Sequence, residues 1–383
     1  MSGAAFAIRV MNHRVRSLFS LFFVFATVCG APPRRDVPPK FVDAARQLTD
    51  SIQKFSALEE SGLYAQSTEK REPELMWGNG VMFSALVAAA RHDPQSYGPQ
   101  VDRFFEAMNG YWDSKAKIPG YEPARTSGNG NDKYYDDNQW MVITFLEAHE
   151  LLGDEKYLNR ADETLAFPLS GWDDKLGGGI WWHEQHKDGS KNTCSNAPAA
   201  VACLLMARER DAEKNLDWAK SITKWTTEHP QDRDGRFLDN QKVADGKVDK
   251  RKYTYNAGLM LRAYLGLWRA TGDRRFLTEA QKIGAACGAL VDPKSNAYRD
   301  GYKFMHLLVE ADLELYRATG GGAATARAKR NGEAAWKRWQ ADPPKETIEQ
   351  AGIARMLWLL ADHETEVGRA FWKKSDARSK PAK

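Results

Sequence analysis

The run Leu152-Gly153-Asp154-Glu155-Lys156-Tyr157-Leu158 returns as Thr271-Gly272-Asp273-Arg274-Arg275-Phe276-Leu277, 119 residues further along the chain. In both copies Gly-Asp closes one apolar helical pattern and opens the next, with glycine as the left-handed C-cap and aspartate as the N-cap. A third copy lies between them: a helix opens at Asn196-Ala197-Pro198, turns near Arg210-Asp211-Ala212 and returns through Leu216 and Trp218. Helix starts at Asp137, Asn196 and Asn256 therefore fall 59 and 60 residues apart, and an earlier start at Asn79-Gly80 precedes Asp137 by 58. A period this long is the mark of repeated helix pairs, and almost no segment alternates as a strand would. The chain is thus predicted to be all-α, with room for about six helix hairpins. An open solenoid would need polar capping repeats at its ends, which neither end supplies. A closed ring would gather Asn79, Asp137, Asn196 and Asn256 at one rim, with the free N–H groups and positive ends of the inner helices directed into a common cleft.

The first 30 residues stand apart from that pattern. Arg9, Arg14 and Arg16 precede the apolar stretch Leu18 to Cys29, and Gly30-Ala31-Pro32-Pro33 follows. This is the layout of a secretory signal, too short for a membrane span; Met11 as the start would leave it intact, and a lipoprotein cut before Cys29 is disfavoured by Val28. The expected organisation is a signal peptide over 1–30, one domain over 31–370 and a solvated basic tail over 371–383. The formal charge of +4 falls to +1 without the leader, which gives no electrostatic reason to expect nucleic acid. Three cysteines remain, Cys194, Cys203 and Cys287, so no disulfide scaffold is implied. A monomer with no cofactor and no transmembrane segment after leader removal is expected.

Three loops enter the phased helices. The first runs from Ile118 to Asp137 and ends in Tyr134-Tyr135-Asp136-Asp137-Asn138-Gln139-Trp140; the second carries Gly177-Gly178-Gly179-Ile180-Trp181-Trp182-His183-Glu184 and continues to Asn196; the third is Arg251 to Gly258. Paired carboxylates can divide acid and nucleophile roles at a glycosidic bond, because proximity separates their pKa values. The plainer reading of Asp136 and Asp137 is a helix cap and a dipole complement. Triple glycine would let backbone approach a ligand, and Trp181 and Trp182 offer flat faces to sugar rings, against the ordinary reading of Trp as core. His183-Glu184-Gln185-His186 has its histidines three apart rather than the four of a zinc helix, so no metal is expected there. Asp232-Arg233-Asp234-Gly235 is a turn rather than a calcium loop.

Taken in order, these loops resemble glycoside hydrolase family 76, the endo-α-1,6-mannanases. The matching segments are Tyr135 to Trp140 with Gly153-Asp154, Gly177 to Trp182, Lys191-Asn192 to Ser195-Asn196, and Tyr255-Asn256-Ala257-Gly258 with Thr271-Gly272-Asp273. The resemblance covers about Trp77 to Gly320 and departs from the family at Cys194, where an aliphatic residue is expected, and after Gly320. It implies an (α/α)6 barrel and a secreted retaining enzyme acting on α-mannan or mannooligosaccharides, with Asp136 as nucleophile and Asp137 as general acid/base. Tyr135, Asn196, Tyr255 and Asn256 are then expected to bind hydroxyls, and Trp181 and Trp182 to wall subsites. A transglycosylase would use the same aspartates. A non-hydrolytic mannan-binding homologue would need neither, and a sugar epimerase on this fold would be expected to use histidines.

Overall fold

The computed structural model describes residues 40–379; the expected leader, Cys29 included, lies outside them. Thirteen α-helices occur among the described residues. Six of them form an inner ring: α2 (Met76–His92), α4 (Tyr135–Leu152), α6 (Thr193–Met206), α8 (Thr254–Thr271), α10 (Tyr302–Thr319) and α12 (Thr347–Glu364). Each packs on the next, and α12 packs back on α2, which closes the ring. The inner helices are buried on nearly every face: in α2 only Trp77 and His92 are not fully buried, as expected of helices with no polar stripe.

The outer layer is amphipathic. α3 (Pro94–Met108), α5 (Glu155–Leu169), α7 (Ala212–Glu228), α9 (Arg274–Ala286) and α11 (Gly322–Ala341) each cover the inner helix that precedes them. The Gly-Asp turns behave as their chemistry requires. Gly153 and Gly272 both have φ of 72°, and the Asp154 and Asp273 carboxylates accept from the Lys156 and Arg275 backbone N–H groups at 2.9 Å.

The sixth pair is split across the chain. α1 (Phe41–Ser56) packs on α12, more than 290 residues away, and Trp358 donates its indole N–H to Thr49 Oγ1 at 2.9 Å. The last inner helix thus finds its outer partner at the beginning of the chain. The basic stretch expected as a solvated tail from residue 371 is instead, as far as Arg378, most of helix α13 (Glu366–Arg378). That helix lies against α12 and α2. Trp372 donates to Asp362 at 2.9 Å, and the Arg91 guanidinium sits 4.1 Å from the Phe371 ring centre.

Short antiparallel strands occupy the loops that enter the inner helices. β1 (Ala57–Leu58) pairs with β2 (Leu63–Tyr64), and β3 (Trp112–Asp113) with β4 (Gly120–Tyr121). β5 (Ser190–Asn192), β6 (Asn240–Lys242) and β7 (Val248–Asp249) form a three-stranded sheet that runs directly into α6. No helix among the described residues is long and apolar enough to cross a membrane.

Candidate active site

Every inner helix sends its first turns to one cleft of about 760 Å³. α2 contributes Trp77 and Gly78, α4 Asp136, Asp137 and Trp140, α6 Cys194, α8 Tyr255, α10 Lys303, Phe304 and Leu307, and α12 Ile348. The rim expected from the phased helix starts therefore exists, and the positive ends of six helices converge on it.

Asp136 and Asp137 lie in the first turn of α4, half-buried at the cleft wall. Their surroundings differ. Burial pushes Asp136 up to about 6, opposed by the Cys194 thiol, its own and the Asp137 backbone N–H groups and the Trp182 indole N–H, all of which favour the carboxylate. The Asp137 N–H lies 3.2 Å from Asp136 Oδ1. Asp137 is raised further above the usual carboxylate range by burial and by the neighbouring Asp136 charge, with no donor acting against them. The pair is thus biased toward one ionised carboxylate, Asp136, and one carboxylic acid, Asp137.

Two groups of aromatic rings line the cleft. Phe304 stacks on Trp77 at 5.3 Å and on Tyr255 at 4.8 Å, and Tyr255 stacks on Tyr253 at 5.4 Å. Tyr134, which also lines the cleft, meets Trp182 edge-on at 5.4 Å. Such faces take the apolar side of a pyranose ring, while Asn192, Asp239, Asn240, Arg251 and Lys303 supply hydrogen-bonding groups around the same cleft. A fourth carboxyl, Glu74, also reaches it. Burial raises it to about 7, and a side chain at Gly78 would collide with it at 2.4 Å.

Of the residues expected here, Asp136, Asp137, Trp182 and Tyr255 line the cleft; Trp181, Tyr135, Asn196 and Asn256 do not. Trp181 is fully buried, its indole N–H donating to Asp173 at 2.8 Å; strand alternation turns it inward and Trp182 outward, 41 % exposed. Tyr135 is buried against Phe167, so Tyr134 takes the cleft position. Asn196 is a fastener. Its amide donates to the Ile180 and Asn192 carbonyls, and its oxygen accepts from the Ile180 N–H at 2.8 Å. Asn138 does the same for Tyr121, so the residue in phase with Asn79 and Asn196, each the fourth of its helix, is Asn138 and not Asp137. Asn256, third in α8 rather than fourth, is buried and does not line the cleft.

The triple glycine also has a packing reason. Gly178 and Gly179 have φ of 136° and 86°, and a Cβ on either would strike Trp172 or Trp225 at 2.4–2.5 Å. Their backbone presses on indoles rather than on a ligand. Tyr134, Trp77, Phe304, Glu74 and Asp239 were not singled out by sequence. The first two flank the motifs that were, while the others come from loops and helix turns with no local signature.

The sequence profile described as Glycosyl hydrolase family 76 matches residues 40–329. No curated protein matches the sequence. Among solved structures, the chain is similar to a family 76 α-mannanase of Bacteroides thetaiotaomicron, with 23 % identity, 88 % of this chain and 96 % of that one covered, and a TM-score of 0.77. It is also similar to an inactive variant of the α-1,6-mannanase of Salegentibacter sp. HEL1_6, with two consecutive aspartates changed to asparagine, in complex with α-1,6-mannotriose. There the identity is 23 %, the coverage 84 % and 99 %, and the TM-score 0.69. A third, Dfg5 from Chaetomium thermophilum in complex with glucosamine, is 16 % identical, with 86 % and 92 % covered and a TM-score of 0.70.

Proposed function

The chain belongs to glycosyl hydrolase family 76 and is a glycoside hydrolase; from that premise we propose that it is an exported retaining endo-α-1,6-mannosidase that cuts mannan backbones. The observation that carries the reading is the adjacent Asp136 and Asp137 at a sugar-sized aromatic cleft, one supported by donors and the other not. Asp136, as carboxylate, attacks the anomeric carbon while Asp137 gives its proton to the departing glycosidic oxygen. Asp137, now a carboxylate, then takes a proton from water as that water displaces Asp136 from the sugar. Tyr255, Phe304, Trp77 and Trp182 supply stacking faces. The α-1,6-linkage is supported by the mannotriose held in the Salegentibacter enzyme, and the need for an adjacent pair by the inactivity of its double-aspartate variant.

Incubation with linear α-1,6-mannooligosaccharides, followed by NMR of the first product, tests linkage, reaction and stereochemistry together. The expected first product is the α-anomer, and Asp136→Asn and Asp137→Asn are each expected to lose several orders of magnitude in kcat. A β-anomer, or wild-type turnover in either variant, overturns the assignment. Transfer to a second sugar would use the same two carboxyls and would appear as products longer than the substrate.

A further inference from the structure

The loop residues Asp132, His183 and His186 come together beside the cleft, although 51 residues separate the first two. One donor atom from each lies within 4.8 Å of the others. The Asp132 carboxylate pairs with His183 Nδ1, and its Oδ2 lies 3.7 Å from His186 Nε2. A tetrahedral ion with bonds of ~2.0–2.1 Å sets its ligand atoms about 3.4 Å apart. His186 already stands near that spacing, and its side chain is 61 % exposed, free to turn inward.

The backbone under these groups is held in place. Tyr134 and His183 pair as antiparallel neighbours, Tyr135 N–H donates to Trp182 O at 3.0 Å, and Glu184 N–H to Lys133 O at 2.9 Å. Asp132 Oδ1 accepts from the Gln185 N–H at 2.9 Å, which aims the carboxylate's other oxygen at the two imidazoles. The His183 ring is fixed by a parallel stack on Tyr134 at 5.1 Å. Two imidazole nitrogens and one carboxylate oxygen on a preformed ribbon, with open positions toward solvent, are a donor set for a borderline divalent transition ion.

We propose that Asp132, His183 and His186 form a binding site for one zinc-class divalent ion at the rim of the cleft. The ion clamps the ribbon that carries Tyr134 and Trp182, and so stiffens one wall of the cleft without touching the reacting carboxyls. The spacing that excludes a zinc helix does not exclude this site, because the third ligand comes from another loop and the two histidines sit on a turn.

The test uses the untagged protein, stripped with a chelator and titrated with Zn2+ by calorimetry, with Co2+ absorption as a second probe. The expected result is one equivalent per chain, a higher thermal midpoint with Zn2+, and visible bands of low-symmetry cobalt. His186→Ala removes a ligand from an exposed position and is expected to fold normally. Loss of an outer-shell partner alone weakens metal sites ~10–100-fold, so loss of this ligand is expected to weaken binding by more than ~100-fold and to abolish the thermal shift. Asp132→Asn is expected to act in the same direction. Uptake well below one equivalent, or equal affinity in wild type and His186→Ala, overturns the site and leaves an ordinary Asp132–His183 ion pair. None of these readouts depends on the sugar chemistry.

Discussion

Asp136 and Asp137 are the same side chain one position apart, and what separates them is who donates to them. Both lose solvent, but only Asp136 gains the Cys194, Trp182 and backbone donors. Raised carboxyls also affect stability. A group whose folded pKa exceeds its unfolded value stabilises the fold below the unfolded pKa and loses that contribution as pH rises through the folded one. For Asp136 the window runs from the ordinary ~3.9 to about 6. Asp136→Asn is therefore expected to be inactive yet more stable than wild type at pH 7, by on the order of 1–3 kcal/mol, with little gain at pH 4. Thermal melts at the two pH values check this, and an equal shift at both would show that burial does not strain the carboxylate. The two tryptophans give a second residue-scale contrast. Trp181→Ala is expected to cost about 3–5 kcal/mol in denaturant unfolding, as for other buried aromatics. Trp182→Ala should fold normally and raise KM for mannooligosaccharides.

At the scale of the element, the first turn of an inner helix both presents chemistry and fastens the incoming loop. Asn138 and Asn196 take the N–H and C=O of Tyr121 and Ile180 as a neighbouring strand would. Asn331 of the outer α11 likewise accepts from the Tyr298 N–H at 2.7 Å. Asparagine suits this work because one short amide offers both donor and acceptor. Asn196→Ala leaves two buried Ile180 backbone groups unpaired, and each such loss costs about 1–3 kcal/mol. An expected destabilisation of about 2–5 kcal/mol in urea unfolding follows, while a loss near zero would mean that the loop refastens through other groups. The Asn196 side chain does not reach the cleft, so KM of the folded fraction should hold.

At the scale of the whole molecule, the ring closes around charge. Arg355 of α12 lies between Glu147 of α4 and Glu310 of α10, at 2.7 and 3.2 Å, and Arg262 of α8 joins Glu310 to Glu314. Ser84 of α2 donates to Glu147 at 2.9 Å. Five of the six inner helices are thus tied together beneath the cleft by groups with little access to water. Burial, with the Arg355 and Arg262 charges adding to it, pushes His306 down to about 3, so it stays neutral. Arg355→Met removes the shared cation from two buried carboxylates, and breaking a buried pair this way costs about 3–5 kcal/mol. Since protonation relieves the orphaned acids, the deficit relative to wild type should widen from pH 5 to pH 8. Chemical denaturation at both values checks it, and a constant deficit would locate the cost in packing instead of charge.

The ring was legible in the chain because caps and periodicity are local, and a sixty-residue repeat writes them out several times. The inner helices begin at Met76, Tyr135, Thr193, Thr254, Tyr302 and Thr347, so the spacing holds at 59, 58 and 61 residues and then drops to 48 and 45. The phase faded after α8 for that reason, and α12 could not be matched to a partner that lies at the opposite end of the sequence. Asp136, Asp137, Trp182 and Tyr255 were readable because they sit in the first turns of phased helices or on a loop entering one. Which of Trp181 and Trp182 faces sugar, whether a phased asparagine binds substrate or backbone, and that Asp132 meets His183 and His186 were decided by strand pairing between distant loops. Local sequence determines which residues lie near a helix mouth; only the folded ring determines which way each one points, because side-chain direction is set by neighbours that arrive from elsewhere in the chain.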